Sequence, residues 1–222
     1  MYSIKKTEVL RYLGYNGQEI SYEIDTLISE LTKKAKNVCT PVYTHMISDI
    51  ENTTSGLHLT GTDIFLTGND ILKHLNGASK CITFACTLGV GFESSLLRLQ
   101  AQSVTKALIF DAVGTAFIEE FADITEETLL SPFIKDGYYS KFRYSPGYGD
   151  LSLDFQTKII NTLQCQKKIG LTVTDTNILI PRKSVTAFIG IFKTPQKKPN
   201  SKCELCTNKE MCRMRKDGKA CD

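Results

Sequence analysis

The sequence predicts an α+β fold: a mainly antiparallel twisted sheet with flanking helices, followed by a short cysteine-rich C-terminal tail. Several apolar runs have the length of a buried strand, whereas longer segments carry their apolar residues at helical spacing. These strands and helices do not alternate strictly along the chain, which favours α+β over a parallel α/β arrangement. A chain of 222 residues is long enough for one large domain with an appendage.

The first half of the chain predicts helices and strands in mixed order. Residues 20–37 are predicted to be a helix, because isoleucine and leucine recur there at helical spacing between charged residues. Residues 61–66 are typical of a strand, and Asn69 or Asp70 is placed to cap a helix that ends near Leu75. Residues 81–86 predict a short buried strand, and residues 91–102 predict a helix.

The strongest helical pattern covers residues 102–123. One broad face of this helix is expected to be buried, and its residues are Leu108, Ala112, Val113, Ala116, Phe117 and Phe121. Gly114 within the helix costs roughly 1 kcal/mol relative to alanine, which indicates a packing reason for it. A further helix is predicted over residues 154–163, and strands over 171–173, 178–180 and 184–192 are expected to close the sheet.

Composition excludes several classes of protein. Apolar residues make up 41% and charged residues 23%, as in ordinary globular proteins and unlike disordered chains. The formal net charge of +3 is too small to indicate nucleic-acid binding, so nucleic acid is not an expected partner. No apolar run approaches the ~18 residues of a membrane helix, and no signal peptide is recognisable, so we expect a cytoplasmic protein without a membrane partner.

The last residues differ in character from the body. Residues 194–202 are polar and contain prolines, so we divide the chain into a body, 1–191, and a basic linker and tail, 192–222, with a net charge of +5. Cys203, Cys206, Cys212 and Cys221 have the spacing C-x2-C-x5-C-x8-C. Four thiolates can hold zinc or an iron–sulfur cluster, and the spacing does not distinguish them. The alternative is a disordered basic tail with incidental thiols.

The densest chemical region of the body is residues 138–150, which hold four tyrosines, one arginine and two glycines. Pro146 restricts φ, and Gly147 allows a ligand to approach the main chain. Arg143 offers a planar fork for a carboxylate, and Tyr148 offers an aromatic face. These groups suit S-adenosylmethionine, which has a carboxylate, an adenine and a sulfonium. The alternative is a Pro-Gly turn whose aromatic residues pack on the sheet, with Arg143 in a structural ion pair.

An ordered series of motifs favours the ligand-binding interpretation of this segment. Arg143-Tyr-Ser-Pro-Gly-Tyr148 is followed by a predicted helix, then by Ile169-Gly-Leu-Thr-Val-Thr-Asp-Thr-Asn177 and by Pro181-Arg-Lys-Ser-Val-Thr-Ala187. This series resembles the reactivation domain of cobalamin-dependent methionine synthase over about residues 80–192. The chain is most similar to the separately encoded versions of that domain, which act with a truncated synthase.

The resemblance implies an activation-domain-like body and a function. Such a protein binds S-adenosylmethionine for reductive remethylation of cob(II)alamin, as the reactivation component of methionine synthase and not as a complete enzyme. By this match Arg143 and the backbone of Ser145, Pro146 and Gly147 hold the methionine part of the ligand, and Tyr148 lines the site. No acid–base residue is needed, because the cofactor and the sulfonium supply the chemistry.

The resemblance also implies partners. Cobalamin is carried by a methionine synthase, or another corrinoid protein, that lacks its own reactivation domain, and flavodoxin or ferredoxin supplies the electron. Two other classes remain open: a redox protein with an iron–sulfur cluster in the tail that serves a corrinoid methyltransferase, and an interaction module built on a zinc-bearing tail.

Overall fold

The computed structural model of this chain describes residues 2–15 and 17–196 and confirms an α+β fold with an antiparallel sheet. The helices are α1 (Lys6–Tyr12), α2 (Tyr22–Val38), α3 (Asn69–Leu75), α4 (Val90–Gln102), α5 (Val104–Lys135), α6 (Phe155–Thr162) and α7 (Cys165–Ile169). The strands are β1 (Val42–Thr53), β2 (Gly56–Leu59), β3 (Phe65–Leu66), β4 (Lys80–Thr87), β5 (Tyr139–Ser140), β6 (Thr172–Val173), β7 (Leu179–Ile180) and β8 (Ser184–Phe192).

In the described part of the chain, six strands form one sheet in the order β3-β2-β1-β4-β8-β5. Strand β2 pairs antiparallel with both β1 and β3, and β5 pairs antiparallel with β8. At opposite ends of β4, main-chain hydrogen bonds join Ser79 to Ile191 and Leu88 to Lys183, so β4 and β8 are also antiparallel. Local hairpins and long-range pairs therefore contribute to the same sheet.

Contacts divide the chain into two compact units. The first contains the described residues up to Met46 together with Phe84–Leu129 and Gln156–Thr186. The second contains Ile47–Thr83, Leu130–Phe155 and the described residues from Ala187 onward. The predicted boundary near residue 191 stays a prediction, because the tail lies outside the described residues.

The first unit packs α4 closely against α5 and α2. The buried Phe92 of α4 stacks on Phe110 of α5, with ring centroids 4.5 Å apart and planes 8° apart. A Cβ added to Gly114 would overlap the Phe92 ring, which confirms the packing reason predicted for this glycine. A Cβ at Gly91 would likewise overlap the carbonyl of Val38, at the end of α2.

The second unit packs α3 against β8. Helix α3 buries Ile71, His74 and Leu75. Gly190 in β8 makes room for this helix, because an added Cβ would lie 2.9 Å from a methyl carbon of Leu75. Helix α3 is short, and its N-terminus is important for the candidate site described below.

Most predicted elements are confirmed within a few residues, including β8. Helix α5 is an exception, because it was predicted to end at residue 123 and continues to Lys135. Two further predictions of local structure were wrong. Residues 61–66 form a turn that ends in the two-residue strand β3, because the Thr62 hydroxyl bonds the main chain at both Leu59 and Ile64. The segments near residues 172 and 179 do not close the main sheet. They pair only with each other, as the separate hairpin β6–β7.

Two predictions about helices were also wrong. Leu108 was expected on the buried face of α5 but is 63% exposed. Neither Asn69 nor Asp70 caps α3. The N-cap position is Gly68, and the first amides of the helix are bonded by a distant carboxylate. Among the described residues, no helix combines the length and the hydropathy that a membrane span requires.

Candidate functional site

The predicted binding segment lies beside β8, within the second unit. Tyr144 forms an isolated antiparallel bridge with Phe188, through main-chain N–H to O hydrogen bonds of 2.8 and 2.9 Å. This bridge follows β5 along the same edge of the sheet. Arg143, just before the bridge, is partly buried. The segment Arg143–Tyr148 therefore begins at the hydrogen-bonded edge of the sheet and is not part of a long unsupported loop.

Residues Ser145–Tyr148 form a tight turn. The Tyr148 N–H donates to the Ser145 carbonyl at 3.2 Å, with Pro146 and Gly147 at the two central positions. Gly147 has φ +91°, and proline followed by a residue of positive φ is the arrangement of a type II turn. Pro146 is buried and Tyr148 is 66% exposed. The turn therefore has a packed base and presents an aromatic ring to solvent.

The main-chain donors of this turn are already partly used. The Gly147 N–H donates to the Leu151 carbonyl at 2.8 Å, and the Leu151 N–H donates to the Tyr148 carbonyl at 3.0 Å. Pro146 has no N–H. A ligand that meets this turn would thus find side chains and carbonyl oxygens, and not the amides of Gly147 and Tyr148. Carbonyl oxygens accept hydrogen bonds from an ammonium group.

A neighbouring group of residues was not predicted from the sequence. The Asp150 carboxylate accepts hydrogen bonds from the main-chain N–H groups of Asn69, at 2.5 Å, and Asp70, at 3.1 Å. Burial raises the pKa of Tyr144 to about 12, with further contributions from the charges of Asp70 and Asp150. Tyr144 therefore stays a neutral phenol at physiological pH. No local pattern indicates this group, because about 80 residues separate its two halves.

His74 lies next to the same segment and is structural. Its ring packs between Phe142 and Tyr144, with centroid distances of 4.6 and 5.0 Å, and its Nε2 lies 2.9 Å from the Phe142 carbonyl oxygen. Burial lowers the pKa of His74 to about 4, and the charge of Lys141 contributes in the same direction. The imidazole is therefore neutral at physiological pH and is part of the packed interior of the second unit.

In the first unit, Lys183, directly before β8, forms an ion pair with α5. The Lys183 ammonium lies 2.9 Å from the Asp111 carboxylate and donates to the Thr115 hydroxyl at 2.8 Å. Both partners are on α5, so this contact ties the start of β8 to the long helix. The neighbouring Ser184 hydroxyl bonds the Pro181 carbonyl at 2.6 Å. Lys183 and Ser184, at the start of β8, therefore have structural roles.

Four cysteines belong to the described part of the chain. Cys81, Cys86 and Cys165 are buried, Cys39 is partly buried, and none of the four forms a disulfide. Burial raises the pKa of Cys39, Cys81 and Cys165 to about 12, so these groups remain thiols.

The four predicted metal ligands belong to the C-terminal tail of the sequence. Cys203, Cys206, Cys212 and Cys221 are outside the described residues. Within residues 2–15 and 17–196, no group of three or more histidine, cysteine, aspartate or glutamate side chains could hold a metal ion.

Comparison with known proteins identifies the fold. No protein-family model matches the sequence, and no curated protein matches it significantly. Among solved structures, the chain is similar to the reactivation domain of MetH bound to AdoHcy. The TM-score is 0.64 at 14% sequence identity, and the match covers 95% of this chain and 80% of the other. This chain has the fold of the MetH reactivation domain. The predicted α+β class with an antiparallel sheet is thereby confirmed.

Proposed function

We propose that this chain binds S-adenosylmethionine through the segment Arg143–Tyr148. The observation that carries the proposal is the combination of this motif with the fold. The similar solved structure is the MetH reactivation domain bound to AdoHcy, and the match covers 95% of this chain. The segment is supported by the fold, because Tyr144 is bonded to Phe188 of β8 and Ser145–Tyr148 form a hydrogen-bonded turn.

The residues suit the parts of that ligand. Arg143 can bind the carboxylate with two parallel hydrogen bonds. The exposed ring of Tyr148 offers a face to the adenine or the sulfonium. The Ser145 side chain and the carbonyl oxygens of the turn are suitable acceptors for the ammonium group. Because the turn is held by its own hydrogen bonds, little ordering is left to occur when the ligand binds.

We further propose that the chain is an accessory subunit for a corrinoid protein. It would present S-adenosylmethionine to cobalamin carried by a methionine synthase, or a similar partner, for reductive remethylation of cob(II)alamin. The corrinoid and the sulfonium would supply the chemistry, with an electron from a flavodoxin or ferredoxin. The contribution of Arg143, Ser145 and Tyr148 is to bind and orient the ligand, which can lower a barrier substantially without any acid–base group.

Calorimetric titration of the full chain with S-adenosylmethionine tests the binding role. We expect the wild type to bind and Arg143→Ala to bind at least about tenfold more weakly, because a charge-assisted carboxylate contact is lost. Arg143→Lys should lie between them, since lysine keeps the charge without the planar fork. Arg98→Ala, at an exposed position of α4, is the matched control and should bind like the wild type.

A second arm repeats the titration with a cobalamin-loaded methionine synthase that lacks its own reactivation domain. Absence of binding by the wild type in both arms would contradict the proposed function. Equal affinity of the wild type and Arg143→Ala would contradict the assignment of the site.

A further inference from the structure

Asp150 joins the candidate turn to the N-terminus of α3. One carboxylate oxygen accepts the Asn69 N–H at 2.5 Å, and the other accepts the Asp70 N–H at 3.1 Å. Asp150 follows Tyr148 by only two residues, whereas the two amides belong to an element about 80 residues earlier in the chain. Both oxygens of one side chain therefore bind the end of the turn to a helix that packs on β8.

Two glycines allow this close approach. A Cβ at Gly68, the N-cap of α3, would lie 2.8 Å from an Asp150 carboxylate oxygen. A Cβ at Gly149 would overlap the Tyr144 hydroxyl and would lie 2.5 Å from an Asp70 carboxylate oxygen. The glycines thus bring the two segments closer than other residues would permit. We call Tyr144, Gly149 and Asp150, with Gly68 and Asp70, the clasp.

The clasp and the sheet hold the turn from two sides. Tyr144 is bonded to Phe188 on the sheet, and Asp150 is bonded to α3. Pro146, between these anchors, and Leu151, directly after the second, are buried, and the turn has its own main-chain hydrogen bonds. A turn anchored at both ends has few conformations left to lose, which is the condition for a preorganised binding site.

The clasp also affects where an anionic group can bind. The first amides of a helix normally attract anions. At α3 those of Asn69 and Asp70 already hold the Asp150 carboxylate. Arg143 is the cationic side chain of the segment Arg143–Tyr148.

We propose that Asp150 is a positioning residue, which holds the Arg143–Tyr148 turn in its ligand-binding conformation before the ligand arrives. This inference rests on the proposed function. Asp150 acts through the turn and not by touching the ligand. Its removal should therefore weaken binding and loosen the turn together, with the fold retained.

The first test is titration of full-length variants with S-adenosylmethionine. Asp150→Ala loses both hydrogen bonds and should bind about tenfold more weakly than the wild type. Asp150→Asn retains one acceptor oxygen and should show an intermediate affinity. Ser21→Ala removes the cap of α2, where the Ser21 hydroxyl accepts the Ile24 N–H, and controls for a general loss of stability. It should bind like the wild type.

Gly149→Ala and Gly77→Ala are a matched pair. Both glycines have positive φ, +52° and +81°, but a Cβ at Gly77 meets nothing within 4 Å. Only Gly149→Ala should weaken binding, because only that Cβ enters the clasp.

Hydrogen–deuterium exchange of the ligand-free protein is the second measurement. In Asp150→Ala the amides of Gly147, Tyr148 and Leu151 should exchange at least about tenfold faster, while those of α5 stay unchanged. Wild-type affinity and wild-type exchange in Asp150→Ala would overturn the inference. If neither the wild type nor any variant binds S-adenosylmethionine, the proposed function fails. The exchange rates of the ligand-free proteins then still decide whether Asp150 holds the turn.

Discussion

Single residues show how closely this fold is packed. Gly114 lies within α5, against the ring of Phe92. In an exposed helix, Gly→Ala stabilises by about 1 kcal/mol. We expect the opposite sign here: Gly114→Ala should lower the free energy of unfolding by about 1–2 kcal/mol, because overpacking at a buried ring outweighs the gain in helix propensity. Chemical denaturation measures this change.

A variant without the Phe92 ring distinguishes the packing effect of Gly114→Ala from its effect on helix propensity. In Phe92→Leu the ring is absent, so adding Gly114→Ala should cost less than it does in the wild type. If Gly114→Ala stabilises the wild type, the Phe92 ring can move aside and the packing explanation is wrong.

His74 predicts a pH dependence of stability. Its pKa is lowered by burial from the usual 6.5 to about 4 in the folded protein. The unfolded chain therefore binds a proton more readily between these values, so stability falls as the pH falls from about 6.5 to about 4. The loss attributable to His74 is about 3 kcal/mol at most.

His74→Gln tests this, because the glutamine amide can still donate to the Phe142 carbonyl but does not titrate. The free energy of unfolding, measured at several pH values, should fall less steeply on the acid side in this variant than in the wild type. Parallel curves for the two proteins would show that His74 does not cause the loss.

At the scale of elements, α6 is attached to β8 by a buried polar contact. The Thr186 hydroxyl donates to the Gln156 side-chain oxygen at 2.5 Å, and both residues are nearly inaccessible to solvent. Thr186→Val or Gln156→Leu alone should each cost about 1–3 kcal/mol, since each leaves a buried polar partner unsatisfied.

The double variant is the decisive one for this contact. Its cost should be smaller than the sum of the single costs, because neither partner is then left unpaired. Thr157→Val, at an exposed neighbouring position of α6, loses only a solvent-exposed hydrogen bond to Asn177 and should cost less than about 1 kcal/mol. Additive costs in the double-mutant cycle would contradict a direct interaction between Thr186 and Gln156.

Elements with strong local patterns were predictable, and those that depend on distant partners were not. Strand β8 was predicted at its observed bounds, because its apolar run is continuous. Strand β1 was not predicted. Its apolar residues alternate only weakly, and its two buried positions are the polar residues Thr44 and Ser48.

At the scale of the whole molecule, the cysteine tail is the part that the fold does not explain. We propose that Cys203, Cys206, Cys212 and Cys221 bind one zinc ion or one iron–sulfur cluster. Metal analysis after anaerobic purification should find one equivalent of zinc, or iron with sulfide and visible absorption.

Variants separate the tail from the body. Cys206→Ser should lose the metal, whereas Cys39→Ser, in the body, should keep it. Metal-free wild-type protein, or equal metal content in Cys206→Ser, would contradict the proposal. Loss of the metal should leave the titration with S-adenosylmethionine unchanged, because the proposed ligand-binding residues are all in the body.

The sequence by itself determined the α+β class, most helices and the position of the Arg143–Tyr148 turn. These features depend on local periodicity, on proline and glycine, and on a compact motif, all of which can be recognised over a few residues. Only the tertiary structure decided that β6 and β7 stand apart from the main sheet and that Asp150 caps α3. The physical reason is that a hydrogen bond between residues about 80 positions apart leaves no periodic pattern at either end. Such a bond is determined only when the intervening chain has folded.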